Sequence, residues 1–94
     1  MQVDSEKKIE RYLVERITAK GGLCIKLLSN YAIGLPDRLC VFPGGKIVFV
    51  ELKTTGQKPR KIQVFMHEKL RAIGAQVYVI DSLFGVDNFI ETKV

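Results

Sequence analysis

Apolar residues recur along this chain with two periods, and each change of period marks the boundary of a predicted element. A spacing of three to four residues indicates an amphipathic helix, whereas short apolar runs bounded by turn residues indicate strands. Ile9, Leu13 and Ile17 form the apolar stripe of the first helix. Ser5 or Asp4 is a suitable N-cap for it. The predicted order is helix 5–20, strands 23–28, 37–42 and 47–53, helix 60–73 and strand 77–80.

The connections between these elements predict how the strands pair. A Pro-Gly-Gly turn at residues 43–45 joins the second and third strands into an antiparallel hairpin. Gly74 ends the second helix, and the crossover that follows places the last strand parallel to the third. The fold class is therefore α/β, with a small mixed β-sheet flanked by helices in a single domain, residues 1–94.

Two further segments carry enough apolar side chains to pack on this sheet. The second helix should cover one face of the sheet with Val64, Phe65, Met66, Leu70 and Ile73. The tail from 82 to 94 predicts a loop and a short helix, folded back on the domain or packed against a second subunit. Its apolar residues are Leu83, Phe84, Val86, Phe89 and Ile90.

The end of the third strand carries two charged residues of opposite sign. Because side chains alternate along a strand, Glu51 and Lys53 share the face of Ile47 and Phe49. The opposite face is apolar and consists of Val48, Val50 and Leu52. Taken alone, the two charged residues fit a structural salt bridge as well as a catalytic pair.

Asp37 favours the catalytic interpretation. It opens the first strand of the hairpin while Glu51 ends the second, so the turn brings the two carboxylates together. They would repel each other unless a cation lay between them. Mg²⁺ suits this arrangement because it binds one or two carboxylates and retains several waters, and the backbone carbonyl of Leu52 would complete the protein ligands. Lys53 would then orient or deprotonate the attacking water, or neutralise charge on a phosphate.

The segments GLPDRLCVF and KIVFVELKTTG, followed by Gln63, resemble the PD-(D/E)xK nuclease superfamily. More narrowly, they are similar to the virus-type replication-repair nuclease (VRR-NUC) domain. The resemblance extends from the first helix to the strand near Ile80 and implies a restriction-endonuclease-like core. It also implies that Asp37 and Glu51 hold the metal, that Lys53 is catalytic, and that Gln63 and a glutamate of the first helix belong to the site.

Two glutamates of the first helix are candidates for that last position. Glu6 and Glu10 fall within or beside the apolar stripe, whereas Glu15 points away from it. A carboxylate on a core-facing stripe needs a partner or a metal. Glu6 matches the usual family position better, and Glu10 remains the alternative. A glutamate favoured at a helix start by the helix dipole explains Glu6 almost as well.

The distribution of charge points towards nucleic acid. The formal net charge is +5, and four of the basic residues fall between positions 53 and 61. Lys58, Arg60 and Lys61 should bind backbone phosphates without reading sequence, and Lys26 would add a contact. A solvated lysine-rich loop is the alternative. The chain contains no recognised sequence-reading module, which favours branched or flapped DNA over a defined sequence.

The remaining composition excludes several classes of site and protein. With two cysteines and one histidine, a zinc site of the usual kind is not expected. Cys24 and Cys40 should be buried free thiols, and His67 is interpreted as an ordinary helix residue. No apolar run is long enough to span a membrane, and no signal-peptide pattern is present. We therefore expect a cytoplasmic protein of a bacterial cell or a phage-infected host.

Together these features predict a metal-dependent, structure-specific DNA endonuclease that uses Mg²⁺, with Mn²⁺ as a substitute. Stand-alone VRR-NUC domains resemble Holliday-junction resolvases, and symmetric cleavage of a four-way junction needs two sites related by a two-fold axis. The resemblance therefore implies a homodimer, and the exposed apolar residues of the tail and the second helix are expected at its interface. The alternatives are a flap or single-strand nuclease, a non-catalytic nucleic-acid-binding module and a small interaction protein.

Overall fold

A computed structural model describes residues 2–28 and 32–93 of the chain. Its elements are α1 (Glu6–Ala19), β1 (Leu23–Lys26), β2 (Arg38–Val41), β3 (Ile47–Leu52), α2 (Lys61–Ala72), β4 (Val77–Ile80) and α3 (Leu83–Lys93). Each helix and strand predicted from the sequence is present, with ends that differ by at most two residues. The tail forms α3, so the fold is a four-stranded sheet flanked by three helices.

The strands follow one another across the sheet in chain order. The strand pairs β1–β2 and β2–β3 are antiparallel, and β3–β4 is parallel. At the turn between β2 and β3, the backbone N–H of Phe42 donates to the carbonyl of Lys46 at 2.8 Å. These pairings confirm the predicted hairpin, the parallel crossover and the mixed sheet.

One face of the sheet holds the hydrophobic core. The apolar stripe of α1 is fully buried against it, and the Ser5 side chain caps the helix by accepting from the backbone N–H of Lys8. α3 folds back onto the same side, which confirms one of the two alternatives for the tail. The core residues from the sheet and α3 are Cys40, Phe42, Val48, Val50, Leu52, Ile80, Val86, Phe89 and Ile90. None of the helices in the described ranges has both the length and the apolar character that a membrane crossing requires.

α2 lies on the opposite face, and the residues that it buries are polar. Gln63 and His67 are 7% and 1% exposed, whereas Val64, Phe65 and Ile73 are 42%, 58% and 84% exposed. The prediction that these three apolar residues cover the sheet is therefore wrong. The helix is rotated about its axis so that a polar stripe faces the sheet. The sheet presents the buried carboxylate of Glu51 on this face, and Gln63 donates a hydrogen bond to it.

Much of the second sheet face is uncovered, because α2 lies over β3 and β4, on the far side of the sheet from β1. The strand registers place Leu23, Ile25, Leu39, Val41, Ile47 and Phe49 on that side. We call these six residues the apolar sheet face. Leu23, Ile25 and Ile47 are 64%, 44% and 53% exposed. An apolar sheet surface of this kind is typical of an interaction site.

The two cysteines lie opposite each other on β1 and β2, on the core side of the sheet. Their Sγ atoms are 3.9 Å apart, and both are free thiols, as predicted. Cys40 is fully buried, whereas Cys24 is half-buried because β1 is the edge strand of the sheet.

Gly34 lies where the loop before Asp37 passes the start of α2. Its φ is +86°, and a Cβ at this position would lie 2.5 Å from the carbonyl oxygen of Ile62 and 3.3 Å from the Cα of Gln63. A backbone in the left-handed region with no room for a side chain requires glycine. The loop that carries Asp37 is therefore held directly against the helix that carries Gln63.

We expect Gly34→Ala to destabilise the protein more than Gly45→Ala. Both glycines have nearly the same φ, +86° and +85°, but a Cβ at Gly45 meets nothing within 4 Å. Gly45→Ala should cost about 1–2 kcal/mol from backbone strain alone, and Gly34→Ala should add the cost of moving the loop away from α2. Urea unfolding of both variants measures the difference. Equal losses of unfolding free energy would contradict a close approach between Gly34 and the start of α2.

Candidate active site

Asp37 lies at the open end of the β2–β3 hairpin, beside the end of β3. Its Oδ2 accepts a hydrogen bond from the backbone N–H of Leu52 at 2.8 Å. Its own backbone carbonyl accepts from the N–H of Leu27 at 2.8 Å, which ties this end of the hairpin to the chain that continues from β1. The hairpin therefore places Asp37 next to the end of β3, as its turn predicted.

Glu51 is the buried carboxylate at the centre of this region, and it is 1% exposed. Its Oε2 accepts from Nε2 of Gln63 at 2.9 Å and lies 3.3 Å from Nζ of Lys53. Its Oε1 has no hydrogen-bond partner among the described residues. Burial, followed by the negative charge of Asp37, raises the pKa of Glu51 to about 7. One carboxylate oxygen is thus held by two donors while the other is unsatisfied.

Gln63 reaches Glu51 from the first turn of α2. Its Oε1 accepts from the backbone N–H of Arg60 at 2.8 Å, an interaction that helps to start the helix. This contact directs the amide Nε2 towards Glu51. The sequence prediction placed Gln63 at the site, and the structure brings it into direct contact with one of the two proposed metal ligands.

The interpretation of His67 as an ordinary helix residue is wrong. The imidazole is 1% exposed, and its Nε2 lies 3.7 Å from Oε1 of Glu51. Burial, followed by the positive charge of Arg71, lowers the pKa of His67, which favours the neutral imidazole. The sequence carried one signal for this position, since His67 follows Gln63 by four residues and therefore lies on the same face of the helix.

The structure distinguishes the two glutamates of α1. Burial, followed by the charge of Asp37, raises the pKa of Glu6, and Lys53 acts in the opposite direction. Glu6 therefore lies within electrostatic reach of the carboxylate pair. Glu10 instead forms an ion pair with Arg38, with 2.9 Å between Oε2 and Nε. Because the carboxylate of Glu10 is paired with Arg38, Glu6 is the candidate whose carboxylate can take part in the site.

Two threonines that follow β3 position the start of α1, and no pattern in the sequence indicated this role. The hydroxyl of Thr54 accepts from the backbone N–H of Glu6 at 3.2 Å. The hydroxyl of Thr55 accepts from the N–H of Asp4 at 2.9 Å and donates to the carbonyl of Asp81 at 2.7 Å. The chain after Lys53 is thereby held between the first helix and the end of β4, which keeps Glu6 beside β3.

The basic residues predicted to bind DNA surround this end of the sheet. Lys58 and Arg60 lie in the segment between β3 and α2, and Lys61 begins α2. Lys26 ends β1 and pairs in register with Arg38, the neighbour of Asp37. All four predicted residues are solvent-exposed, so their charges face water and any ligand that approaches the site.

The donor set fits an oxygen-ligated divalent cation. In the part of the chain that the structure describes, no group of three or more His, Cys, Asp or Glu side chains is arranged to hold a metal ion. Asp37 and Glu51 supply two carboxylates, which is the number that Mg²⁺ commonly uses while it retains several waters. The unsatisfied buried Oε1 of Glu51 is consistent with such a site, because a cation would offset the cost of burying its charge.

Comparisons with known proteins give two strong similarities. The chain is 44% identical over 82 residues to a protein named "Putative nuclease p44" from Acyrthosiphon pisum secondary endosymbiont phage 1, and the match covers 87% of this chain and 88% of that protein. A solved structure titled "VRR_NUC domain" is 40% identical, has a TM-score of 0.88, and is matched over 95% of this chain and 97% of its own. No protein-family model matches the chain.

We expect the free energy of unfolding of the metal-free protein to fall as the pH rises from about 4.5 to about 7. The folded state holds Glu51 with its pKa raised from 4.5 to about 7, so ionisation of this group disfavours folding in that window. Glu51→Gln removes the charge and should therefore be more stable than wild type at about pH 8 in EDTA, by about 1–3 kcal/mol.

Urea unfolding at about pH 5 and about pH 8 measures this difference. Glu15→Gln, at an exposed position of α1, removes a carboxylate that lies outside the site and serves as the matched control. A Glu51→Gln variant no more stable than wild type at the higher pH would contradict the raised pKa.

Proposed function

This chain belongs to the VRR-NUC family of nucleases, and we propose that it is a metal-dependent DNA endonuclease whose site is built on Asp37 and Glu51. The observation that carries the proposal is the state of Glu51. It is buried, one of its oxygens is held by Gln63 and Lys53, and the other has no partner in the described part of the chain.

The residues of the site have separate tasks in this mechanism. Asp37, oriented by the N–H of Leu52, and Glu51 would hold the cation together with the Leu52 carbonyl. When bound, Mg²⁺ or Mn²⁺ polarises the phosphate and lowers the pKa of a bound water. Lys53 orients or deprotonates the attacking water, or neutralises charge that develops on the phosphate. Gln63 fixes the rotamer of Glu51 through its hydrogen bond.

Glu6 completes the site from the start of α1. Its carboxylate interacts electrostatically with Asp37 and Lys53. Its backbone N–H donates to the hydroxyl of Thr54, which follows β3. From this position it helps to place the attacking water. Glu10 has no such role in the proposal, because its carboxylate is occupied by Arg38.

The proposed DNA surface consists of Lys26, Lys58, Arg60 and Lys61. These residues are exposed and lie on the segments that lead into and out of the site. The amides at the start of α2 would add donors for a phosphate. Because contacts of this kind recognise the DNA backbone, the enzyme should respond to the shape of its substrate more than to sequence.

We further propose that the protein acts as a homodimer on four-way junctions, in recombination, replication-fork repair or phage genome processing in a bacterial cytoplasm. Symmetric cleavage needs two sites, and an isologous dimer supplies them. The tail contributes less to the interface than the sequence suggested, because most of its apolar residues are buried in the core and Phe84 is the exposed exception, at 79%. The apolar sheet face and the outward residues of α2 are the better candidates.

We expect Asp37→Asn to abolish metal-dependent cleavage, with a loss of about 100-fold or more in rate. The asparagine oxygen can still accept from the N–H of Leu52, so the loss would come from the missing charge and not from the loop. The assay offers labelled four-way junction, flap, duplex and single-stranded DNA with Mg²⁺, Mn²⁺ or EDTA. Glu15→Gln, on the exposed side of α1, is the control and should cleave like wild type.

Each outcome of this assay decides between named functions. Paired, symmetric, metal-dependent cuts near the crossover support a junction resolvase. Flap or single-strand cleavage alone would retain the nuclease and remove the resolvase. Binding to DNA without cleavage in any divalent ion would indicate a non-catalytic nucleic-acid-binding module, and the absence of both would indicate an interaction protein.

Leu23→Glu tests the proposed dimer. A charge within a buried apolar interface should raise the dimer dissociation constant by about 100-fold or more. Light scattering measures the molecular mass, and the junction assay should show that paired cuts give way to single nicks. Val3→Glu is the matched control, because Val3 is 68% exposed and Leu23 is 64% exposed, but Val3 lies outside the apolar sheet face. An unchanged molecular mass for Leu23→Glu would exclude this interface.

A further inference from the structure

Two buried polar atoms face each other at the site, and the mechanism above uses only one of the residues that carry them. Oε1 of Glu51 and Nε2 of His67 are 3.7 Å apart, and neither has a hydrogen-bond partner among the described residues. Both residues are 1% exposed. A buried polar group without a partner is unfavourable, so two such groups next to each other call for a physical explanation.

The packing of α2 does not require a histidine at this position. Most of its apolar residues face outward, and the polar pair Gln63 and His67 forms the buried stripe. Gln63 already satisfies Oε2 of Glu51. An apolar residue in place of His67 would fill space against the sheet but would leave Oε1 without any donor from this helix.

The separation of the two atoms is short enough for a small motion to close it. A hydrogen bond between them needs a distance of roughly 3 Å, and a small rotation of the carboxylate about its terminal torsion would provide it. In its neutral form the imidazole of His67 has one N–H to donate and one nitrogen that accepts. Which nitrogen carries that proton decides whether the contact can form.

We propose that His67 is a positioning residue for Glu51, in the tautomer that carries its proton on Nε2 and donates it to Oε1. Gln63 and His67 then hold the two oxygens of one carboxylate from successive turns of one helix. Each oxygen has two lone-pair sites, so Oε1 can accept from His67 and still bind a cation. A ligand oriented in this way binds its metal more tightly than a freely rotating one. The inference rests on the proposed function of the site, but the tautomer itself does not.

NMR of the imidazole tests the tautomer in the unmodified protein. The chain contains one histidine, so a spectrum of protein labelled with ¹⁵N-histidine reports on His67 without ambiguity. We expect Nε2 to be protonated and Nδ1 to be unprotonated, and we expect this to persist when Mg²⁺ is added. A signal for unprotonated Nε2, or direct metal coordination at that nitrogen, would overturn the proposal.

Substitutions test the consequence for the metal site. His67→Leu removes the donor, and we expect it to weaken Mg²⁺ binding, measured by calorimetry in the absence of DNA, by about tenfold or more. His67→Gln retains an N–H donor and should recover part of the affinity. Met66→Leu, at the half-buried neighbouring position, controls for changes in packing and should bind Mg²⁺ like wild type. Equal Mg²⁺ affinities in wild type and a folded His67→Leu would overturn the proposal.

Activity measurements separate this inference from the proposed function. If wild type cleaves DNA, His67→Leu should lower kcat and leave KM for DNA nearly unchanged, since His67 does not contact the substrate in this role. Cleavage with unaltered kcat in His67→Leu would remove the positioning role and leave the nuclease. Absence of cleavage by wild type, together with weakened Mg²⁺ binding in His67→Leu, would remove the nuclease and leave the positioning role.

Discussion

The buried carboxylate of Glu51 is the constraint on which the rest of this structure depends. β3 carries it to a position that is 1% exposed, and a charge buried there is unfavourable unless neighbouring elements supply donors. Lys53 and Gln63 do so at 3.3 Å and 2.9 Å. Because Gln63 belongs to α2, the helix must turn its polar stripe inward, and most of its apolar residues then face solvent. This is the reverse of the usual amphipathic arrangement.

The position of α2 connects the site to the proposed assembly. The helix lies over β3 and β4, where its polar stripe packs around one carboxylate, on the far side of the sheet from β1. The apolar sheet face is left open, with Leu23 and Ile47 more than half exposed. Monomeric proteins seldom expose contiguous apolar surface without a partner. In the proposed homodimer, the position of one helix would therefore both complete the active site and leave the interface accessible.

Stability and chemistry are divided between the two faces of the sheet. α1 and α3 build an apolar core on one side, which leaves the other side free to hold charged groups. The two sides meet at the start of α1, where the hydroxyl of Thr54 accepts from the backbone of Glu6. This contact brings a core helix to the edge of the site. Arg38 acts in the same region by binding Glu10, so that the two glutamates of one helix have different environments.

Local patterns in the sequence determined the elements, the hairpin and therefore the convergence of Asp37 and Glu51, because a short turn joins the strands that carry them. The orientation of α2 was decided only by the tertiary structure. Periodicity states which residues share a helix face but not which face turns inward, so Val64 and Phe65 were predicted to be buried and His67 to be ordinary. The physical reason is that spacing is a local property of the chain, whereas the rotation of a helix depends on which side chains can satisfy a charge that another element buries.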